Sequence, residues 1–171
     1  MATPAPLVTA TPSVTPTASP SVGAPAPGTG AAEAAIRADY ALQTGPLIKD
    51  DLAAARAVAA PDFKTITLGG RIITRAQWLA STQRMESALG PKAEIHVVFH
   101  SFKWLGTQVA VEDEEDIKAP LHQGAQVHAF EEKGVSRELW GIVGNKWMIH
   151  SSTTLSESAL LDGHALAQPK S

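Results

Sequence analysis

Residues 137–151 read RELWGIVGNKWMIHS, with two strand-like segments on either side of Gly144 and Asn145. A glycine–asparagine pair between segments rich in aromatic and β-branched residues is typical of a two-residue hairpin turn. The turn sets the register, and the predicted partners are Val143 with Lys146, Ile142 with Trp147, Trp140 with Ile149 and Glu138 with Ser151. Both faces then carry large apolar side chains, so we expect one face to pack on helices and the other to close a cavity or meet a partner.

A helix is predicted well before this hairpin. Thr74 and Gln77 have the spacing of a capping box, in which each residue bonds the backbone of the other. The apolar stripe that begins at Trp78 then continues until Gly90-Pro91 ends the helix. From residue 94 the apolar spacing becomes two, which predicts strands over residues 94–104, 107–118 and 126–130.

Two further helices and a hairpin are predicted nearer the start. The first helix begins at Ala31 and is closed by Gly45-Pro46, and a short second one is capped by Asp50 or Asp51 and ended by Pro61. Alternating residues on both sides of Gly69-Gly70 predict the hairpin. The order of elements therefore indicates an α+β domain with helices first and most strands last.

The composition indicates one globular domain with flexible ends. The chain has 171 residues, of which 44% are hydrophobic and 18% are charged. Residues 1–30 contain no charge and are nearly all Ala, Pro, Thr, Ser, Val and Gly, a composition that cannot bury enough side chain to offset the entropy of ordering. We therefore predict a disordered Ala/Pro/Thr-rich tether over residues 1–30, a domain over residues 31–155 and a flexible C-terminal tail over residues 156–171.

The tether bears on localisation. Stalks of this composition join exported domains to a membrane or cell wall, which favours an exported or envelope-tethered protein over a cytoplasmic one. The same residues lack the positively charged start and apolar run of a secretory signal. A solvated cytoplasmic tail is the alternative.

Several classes of function lack their usual residues. The chain has no cysteine, which excludes thiolate chemistry and cysteine metal ligands, and its net charge of −3 gives no footprint for nucleic acid. No apolar run is long enough to span a membrane. Glycine-rich phosphate loops, His-Glu-x-x-His and Gly-x-Ser-x-Gly are all missing from the sequence. We predict no cofactor and no metal site.

Several short segments resemble the SnoaL-like members of the nuclear-transport-factor-two-like superfamily. They are the start of the second helix at residues 51–54, the strand entry at residues 61–63, the hairpin and helix start at residues 69–78, and the two closing strands with Trp140 and Trp147. The resemblance covers about residues 31–155. It implies a cystatin-like cone, in which three N-terminal helices pack in a curved antiparallel sheet.

The resemblance also implies a small apolar ligand in the open end of the cone and a homodimer formed through the sheet. Members of the superfamily include ketosteroid isomerase, scytalone dehydratase and polyketide cyclases, together with non-enzymatic binding modules. The fold therefore does not select one function.

Ketosteroid isomerase chemistry needs an aspartate base and an oxyanion hole made by a tyrosine and a protonated acid. Tyr40 resembles that tyrosine in position, but the first strand offers Thr65 and Thr67 where the base should be. This activity is disfavoured. Tyr40 is otherwise interpreted as an amphipathic core residue at the edge of a pocket.

Scytalone-dehydratase-like chemistry would use histidines as acid and base, and five histidines lie on strand-like segments: His96, His100, His122, His128 and His150. His96 and His100 share a strand face but lie about 13 Å apart, which is too far to hold one metal ion. No partner for either follows from the sequence alone.

The run Glu112-Asp-Glu-Glu-Asp116 continues a strand. Alternation places Asp113 and Glu115 on the face of Val109 and Val111, and the other three acids on the opposite face. If Asp113 or Glu115 reaches an apolar mouth, burial and like charge would raise its pKa and suit it to acid–base work. The alternatives are a solvated strand end that discourages edge pairing and a weak cation site.

The sequence favours a non-catalytic, dimeric module that binds a small molecule of unknown specificity. The alternative is an isomerase, dehydratase or cyclase in which His96, His100 or His150 works with Asp113 or Glu115. The candidate ligand-binding residues are Tyr40, Trp78, His96, His100, Asp113, Glu115, Trp140 and His150.

Overall fold

The structure, a computed structural model, describes residues 29–41, 45–46, 56–89 and 93–166. The described helices are α1 (Thr29–Ala41) and α2 (Arg75–Ala88), and residues 56–58 are also helical. The described strands are β1 (Gly45–Pro46), β2 (Ala59–Ile66), β3 (Ile72–Thr74), β4 (Glu94–Leu105), β5 (Gln108–Gln123), β6 (Gln126–Val143), β7 (Lys146–Leu161) and β8 (His164–Ala165).

All the described strands belong to one sheet. Its order is β1-β4-β5-β6-β7-β2-β3, and β8 pairs with β7 beside this path. Strands β4 to β7 form an antiparallel meander, whereas β2 pairs with β7 in parallel. Three of the meander's turns have two residues and begin with a glycine at positive φ, Gly106, Gly124 and Gly144, a conformation that other residues adopt at a steric cost.

Bulges bend this meander. One strand has an extra residue at three places: His100 in β4, and His150 and Leu155 in β7. Each bulge increases the local twist and curves the strand. The long strands can therefore wrap around the helices, whereas a flat sheet would leave the helices on an open surface.

Helix α1 packs into the curve of the sheet. Ala32, Ile36 and Tyr40 recur at helical spacing and are all buried. They contact the core around Trp140, which is completely buried, and the buried residues of β5. The burial of a large aromatic side chain at this junction makes the α1–sheet contact a main source of hydrophobic stabilisation.

Helix α2 begins at the predicted capping box. The Thr74 side chain accepts a hydrogen bond from the backbone of Gln77, and the Gln77 side chain accepts one from the backbone N–H of Thr74 at 2.9 Å. Trp78 in the first turn packs on Phe63 of β2, with ring centroids 4.7 Å apart. The cap and this aromatic contact together fix where α2 crosses the sheet.

The structure confirms most of the predicted elements and corrects others. The bulge at His150 shifts the last hairpin, so that Glu138 pairs with Ser152 and not with Ser151. The predicted strand over residues 126–130 is the start of the 18-residue β6. β7 runs to Leu161, beyond the predicted domain end at residue 155.

The start of the predicted second helix and residues 1–28 of the tether predicted over residues 1–30 lie outside the described residues, whereas Thr29 and Gly30 begin α1. Of that helix, only the last turn at residues 56–58 is described. No described helix combines the length and the apolar character that a membrane span requires.

The cap of α2 gives a test of this fold. Replacing Thr74 with Ala removes the side-chain acceptor at the helix start, and we expect it to lower the free energy of unfolding by about 1 kcal/mol. Thr82→Ala is the matched control, because its hydroxyl only bonds the Trp78 carbonyl inside the same helix. Urea unfolding measures both, and equal losses in the two variants would contradict a role for the cap.

Candidate functional site

A cavity of about 280 Å³ lies between the helices and the concave face of the sheet. Its apolar wall comes from α1, α2, β2 and neighbouring strands, and includes Tyr40, Phe63, Trp78, Met85, Ile117, Val135 and Ile149. Its acidic side chains come from the meander and are Asp113, Glu115, Glu132, Glu138 and Glu157. No described Lys, Arg or His lines it. The lining therefore combines apolar side chains with five carboxyl groups.

Glu138 is one of two buried acids among these, with 8% of its surface exposed. Its Oε2 accepts two hydrogen bonds, one from the Tyr40 hydroxyl at 2.5 Å and one from the Trp140 indole N–H at 2.7 Å. Burial, followed by the charge of Asp113, raises the pKa of Glu138 to about 8, although both hydrogen bonds act in the opposite direction. Glu138 is therefore mostly a neutral acid at pH 7.

Tyr40 holds its proton firmly. Burial, followed by the nearby charge of Glu138, raises the pKa of Tyr40 well above its ordinary value. Its ring packs edge-on against Phe99, with centroids 4.9 Å apart, which fixes the direction of the hydroxyl. Tyr40 is thus a hydrogen-bond donor, and in this structure its proton is directed to Glu138.

Asp113 and Glu115 stand on the neighbouring strand β5. Asp113 is 4% exposed, and its Oδ1 accepts a hydrogen bond from the Ser136 hydroxyl at 2.9 Å. Burial raises the pKa of Asp113 to about 6, although the Ser136 bond lowers it in part. Two residues further on the same face, burial and the charges of Asp113 and Glu132 raise the pKa of Glu115 to about 7.

Glu115 is more exposed than Asp113, its neighbour on the same strand face. Its side chain is exposed, and it also lines the cavity. The charges of Asp113 and Glu132, which line the same cavity, add to the effect of burial and raise its pKa further. A raised pKa is consistent with that position, because the carboxylate is only partly hydrated.

The other face of the acidic run forms ion pairs outside the cavity lining, on the side that alternation predicted. Glu112 forms an ion pair with Arg137 at 3.0 Å, and Glu114 forms one with Lys133 at 2.7 Å. Exposed pairs of this kind contribute little to stability. The predicted division of the run is confirmed, with Asp113 and Glu115 inside and Glu112 and Glu114 outside.

The structure places half of the predicted ligand-binding residues in the cavity. Tyr40, Trp78, Asp113 and Glu115 line it. Trp140 lies behind the wall as a buried core residue whose indole N–H supports Glu138.

The three histidines predicted for the site do not line the cavity. Nε2 of His96 lies 3.6 Å from the Glu94 carboxylate, and Nε2 of His100 lies 3.7 Å from that of Glu114. Nδ1 of His150 forms a hydrogen bond of 2.8 Å with the Asp62 carboxylate. None of them therefore forms the predicted histidine–carboxylate pair within the cavity lining, although the charge of His100 lowers the pKa of Asp113 in part. His100 and His150 are the extra residues of two bulges, so the alternation of side chains along a strand does not give their direction.

Glu138 was missed by the sequence analysis as a site residue. A signal was present, since Glu138 lies two residues before Trp140 and therefore on the same strand face. A carboxyl group that shares a face with a buried tryptophan must itself be buried or lie at the edge of the core.

Among the described residues, no three His, Asp or Glu side chains are arranged to hold a metal ion.

The raised pKa of Glu138 predicts a pH-dependent stability. The folded state holds this proton more tightly than the unfolded chain, so stability falls as pH rises from about 4.5 through about 8. Glu138→Gln keeps an acceptor for Tyr40 and Trp140 but cannot ionise. We expect it to raise the free energy of unfolding by roughly 1–3 kcal/mol at pH 8 and to change it little at pH 4.5.

Urea unfolding at both pH values measures this effect. Glu131→Gln, an exposed position on the same strand, is the control and should leave the pH profile unchanged. A Glu138→Gln variant with the wild-type slope would show that Glu138 is ionised in the folded protein at neutral pH.

No family model matches the chain by sequence, and no curated protein sequence matches it. Solved structures do match. A putative scytalone dehydratase from Novosphingobium aromaticivorans has a TM-score of 0.62 at 11% identity, over 74% of this chain and 86% of that one.

Two further structures are similar over most of their length. A type 2 hexachlorocyclohexane dehydrochlorinase (LinA) has a TM-score of 0.60 at 13% identity, over 81% of this chain and 95% of that one. A conserved protein from Planctomyces limnophilus has a TM-score of 0.60 at 17% identity, over 77% of this chain and 98% of that one. At these identities the likeness concerns fold alone, and the chain has the nuclear-transport-factor-two-like cone fold that its motifs predicted.

Proposed function

We propose that this chain is a non-catalytic module that binds a small molecule in the cavity of its cone. The observation that carries the proposal is the cavity itself, about 280 Å³ between α1, α2 and the sheet. That volume lies near the lower end of known ligand sites, which fits a small ligand. Its mixture of apolar wall and a few polar groups is the usual composition of such sites.

The arrangement of polar groups supports binding over catalysis. The Tyr40 hydroxyl is bonded to Glu138, so it is not free to stabilise charge on a substrate. No described histidine lines the cavity to carry protons. Tyr40 and Glu138 therefore hold each other in place in the cavity lining, and we assign them to ligand recognition.

An acid–base enzyme is the second candidate, and one observation favours it. The pKa values of Asp113, Glu115 and Glu138 are raised to about 6, 7 and 8, the range in which a carboxyl group exchanges protons most effectively at neutral pH. Two structurally similar proteins are named as a dehydrochlorinase and a putative dehydratase. In this candidate enzyme, the carboxyl groups would transfer protons, the role that the sequence suggested for the histidines.

The proposal includes a homodimer formed through the sheet. Its support is a set of exposed apolar side chains on the strands, Val98 at 54%, Leu105 at 48% and Ile142 at 47% exposure. Light scattering after size exclusion should give twice the mass of the chain, 17.9 kDa, and a monomer at micromolar concentration would remove the dimer from the proposal.

A cavity-filling variant tests binding. Gly134 lines the cavity, and an added Cβ would make only ordinary contact, 3.6 Å from the Ser156 carbonyl oxygen. Gly134→Leu should therefore fill the cavity without straining the backbone. We expect fragments that bind the wild-type chain, found by ligand-observed NMR with small aromatic and aliphatic compounds, to lose at least about tenfold in affinity.

Lys133→Leu is the matched control, because it adds the same side chain to an exposed position one residue away. Fragments that bind both variants equally would place binding outside the cavity and sink the proposal. The same samples in D₂O separate the two candidates, since deuterium incorporation at a carbon of a bound fragment would favour the enzyme.

A further inference from the structure

Among the described residues, all the charged side chains that line the cavity are acidic. Five carboxyl groups face it, from β5, β6 and β7, and no described Lys, Arg or His faces it. The apolar part of the lining includes Phe63 and Trp78, whose rings pack together. A ligand that fits this lining has an apolar body and a group that complements carboxyl oxygens.

Glu138 supplies an independent indication of such a group. Its Oε2 already accepts from Tyr40 and Trp140, and no described residue donates to its Oε1. Among the described residues, every side-chain nitrogen or oxygen that is sealed from solvent has a hydrogen-bond partner. The Oε1 atom is therefore not sealed, and because Glu138 lines the cavity, Oε1 is accessible from it. A buried carboxyl group thus presents one oxygen without a partner to the ligand space.

Asp113 lies in the row next to Glu138 on the cavity face, and Glu115 lies one inward-facing position further along β5. Ser136 of β6 pairs with Asp113, and Glu138 lies two residues along the same strand on the same face. Glu115 follows Asp113 on the shared face of β5. The three carboxyl groups therefore belong to one acidic patch, defined here as Asp113, Glu115 and Glu138.

An anionic ligand is disfavoured at this patch above about pH 7, where Asp113 and Glu115 ionise, because it would add negative charge in a cavity that no described Lys, Arg or His lines. A neutral ligand leaves the like-charge repulsion among the acids unchanged. A cation relieves that repulsion and can donate hydrogen bonds to the free oxygens, which are charge-assisted and therefore strong.

We propose that the cavity selects a small organic cation, a protonated amine on an apolar or aromatic body, with its ammonium group on the acidic patch and its body against Phe63 and Trp78. The inference rests on the proposed binding function and names its ligand class. The aromatic rings of this wall add a cation–π contribution where the ammonium group approaches a ring face.

Binding of a cation to this patch couples to protons. The ligand favours ionised carboxyl groups, whereas burial has raised the pKa of each member of the patch. Among the described residues, the remaining titratable groups that line the cavity are Tyr40 of α1, Glu132 of β6 and Glu157 of β7, and His100 of β4, outside the lining, acts on Asp113 and lowers its pKa in part. Affinity should therefore rise as pH increases from about 6 to about 8, with release of protons.

The test uses three matched compounds with the full chain: 2-phenylethylammonium, the neutral 2-phenylethanol and the anionic 3-phenylpropanoate. Calorimetry at pH 8 should show the cation binding at least about tenfold more tightly than the alcohol, with no detectable binding of the anion. At pH 5.5 the advantage of the cation should shrink by about fivefold or more, because the patch is then protonated.

Variants locate the effect. Glu138→Gln and Glu115→Gln should each weaken the cation by about tenfold and leave the alcohol unchanged, since they remove charge and keep similar shape. Glu112→Gln is the control, because Glu112 points away from the cavity on the same strand as Asp113. Glu115 is exposed to the cavity, so its variant has a low risk of misfolding.

Two results would overturn the ligand class. One is an alcohol that binds as tightly as the ammonium compound, or an anion that binds best, which would leave cavity binding intact. The other is the absence of binding by all three compounds while fragments still distinguish Gly134→Leu from Lys133→Leu. Failure of the binding proposal itself is recognised separately, as equal fragment binding by those two variants.

Discussion

Two hydrogen bonds to a single oxygen hold the centre of this domain together. Tyr40 of α1 and Trp140 of β6 both donate to Oε2 of Glu138, beneath a completely buried indole ring. If either donor moved away, a buried polar group would be left without a hydrogen-bond partner. That loss costs more free energy than the hydrogen bond itself contributes to stability. The helix is therefore fixed against one point of the sheet, and the cavity is the space that this attachment leaves open.

The same attachment creates a conflict between stability and recognition. A carboxyl group at this depth is kept at the expense of folding free energy, since burial resists its ionisation. Two neighbouring acids with raised pKa values increase that cost. Groups that reduce stability and still occupy one cavity are characteristic of functional sites, and the acidic patch has both properties.

The fold was predictable from local patterns, and the site only in part. The capping box at Thr74, the α1 stripe and the Gly144-Asn145 turn each depend on residues a few positions apart, so the sequence displays them directly. The division of the acidic run followed from alternation alone. The histidines could not be placed in this way, because one inserted residue at a bulge changes the face on which later side chains lie.

Glu138 illustrates the remaining gap. Its strand face was readable, but its partner Tyr40 is 98 residues distant in the chain, and only the curvature of the sheet brings the two together. Curvature depends on bulges whose positions have no clear sequence signature. Pairings across such distances must come from coordinates.

The parallel pairing of β2 with β7 has a consequence for how the chain reaches this structure. β2 lies near the start of the described domain and β7 near its end, so their ladder closes a loop that contains the whole meander. High contact order of this kind slows folding, because the entropy of closing the loop is lost before the contacts form. During synthesis, β2 and the helix after it must wait for the last long strand to emerge from the ribosome, which exposes Phe63 and Trp78 to chaperones or to aggregation in the interval.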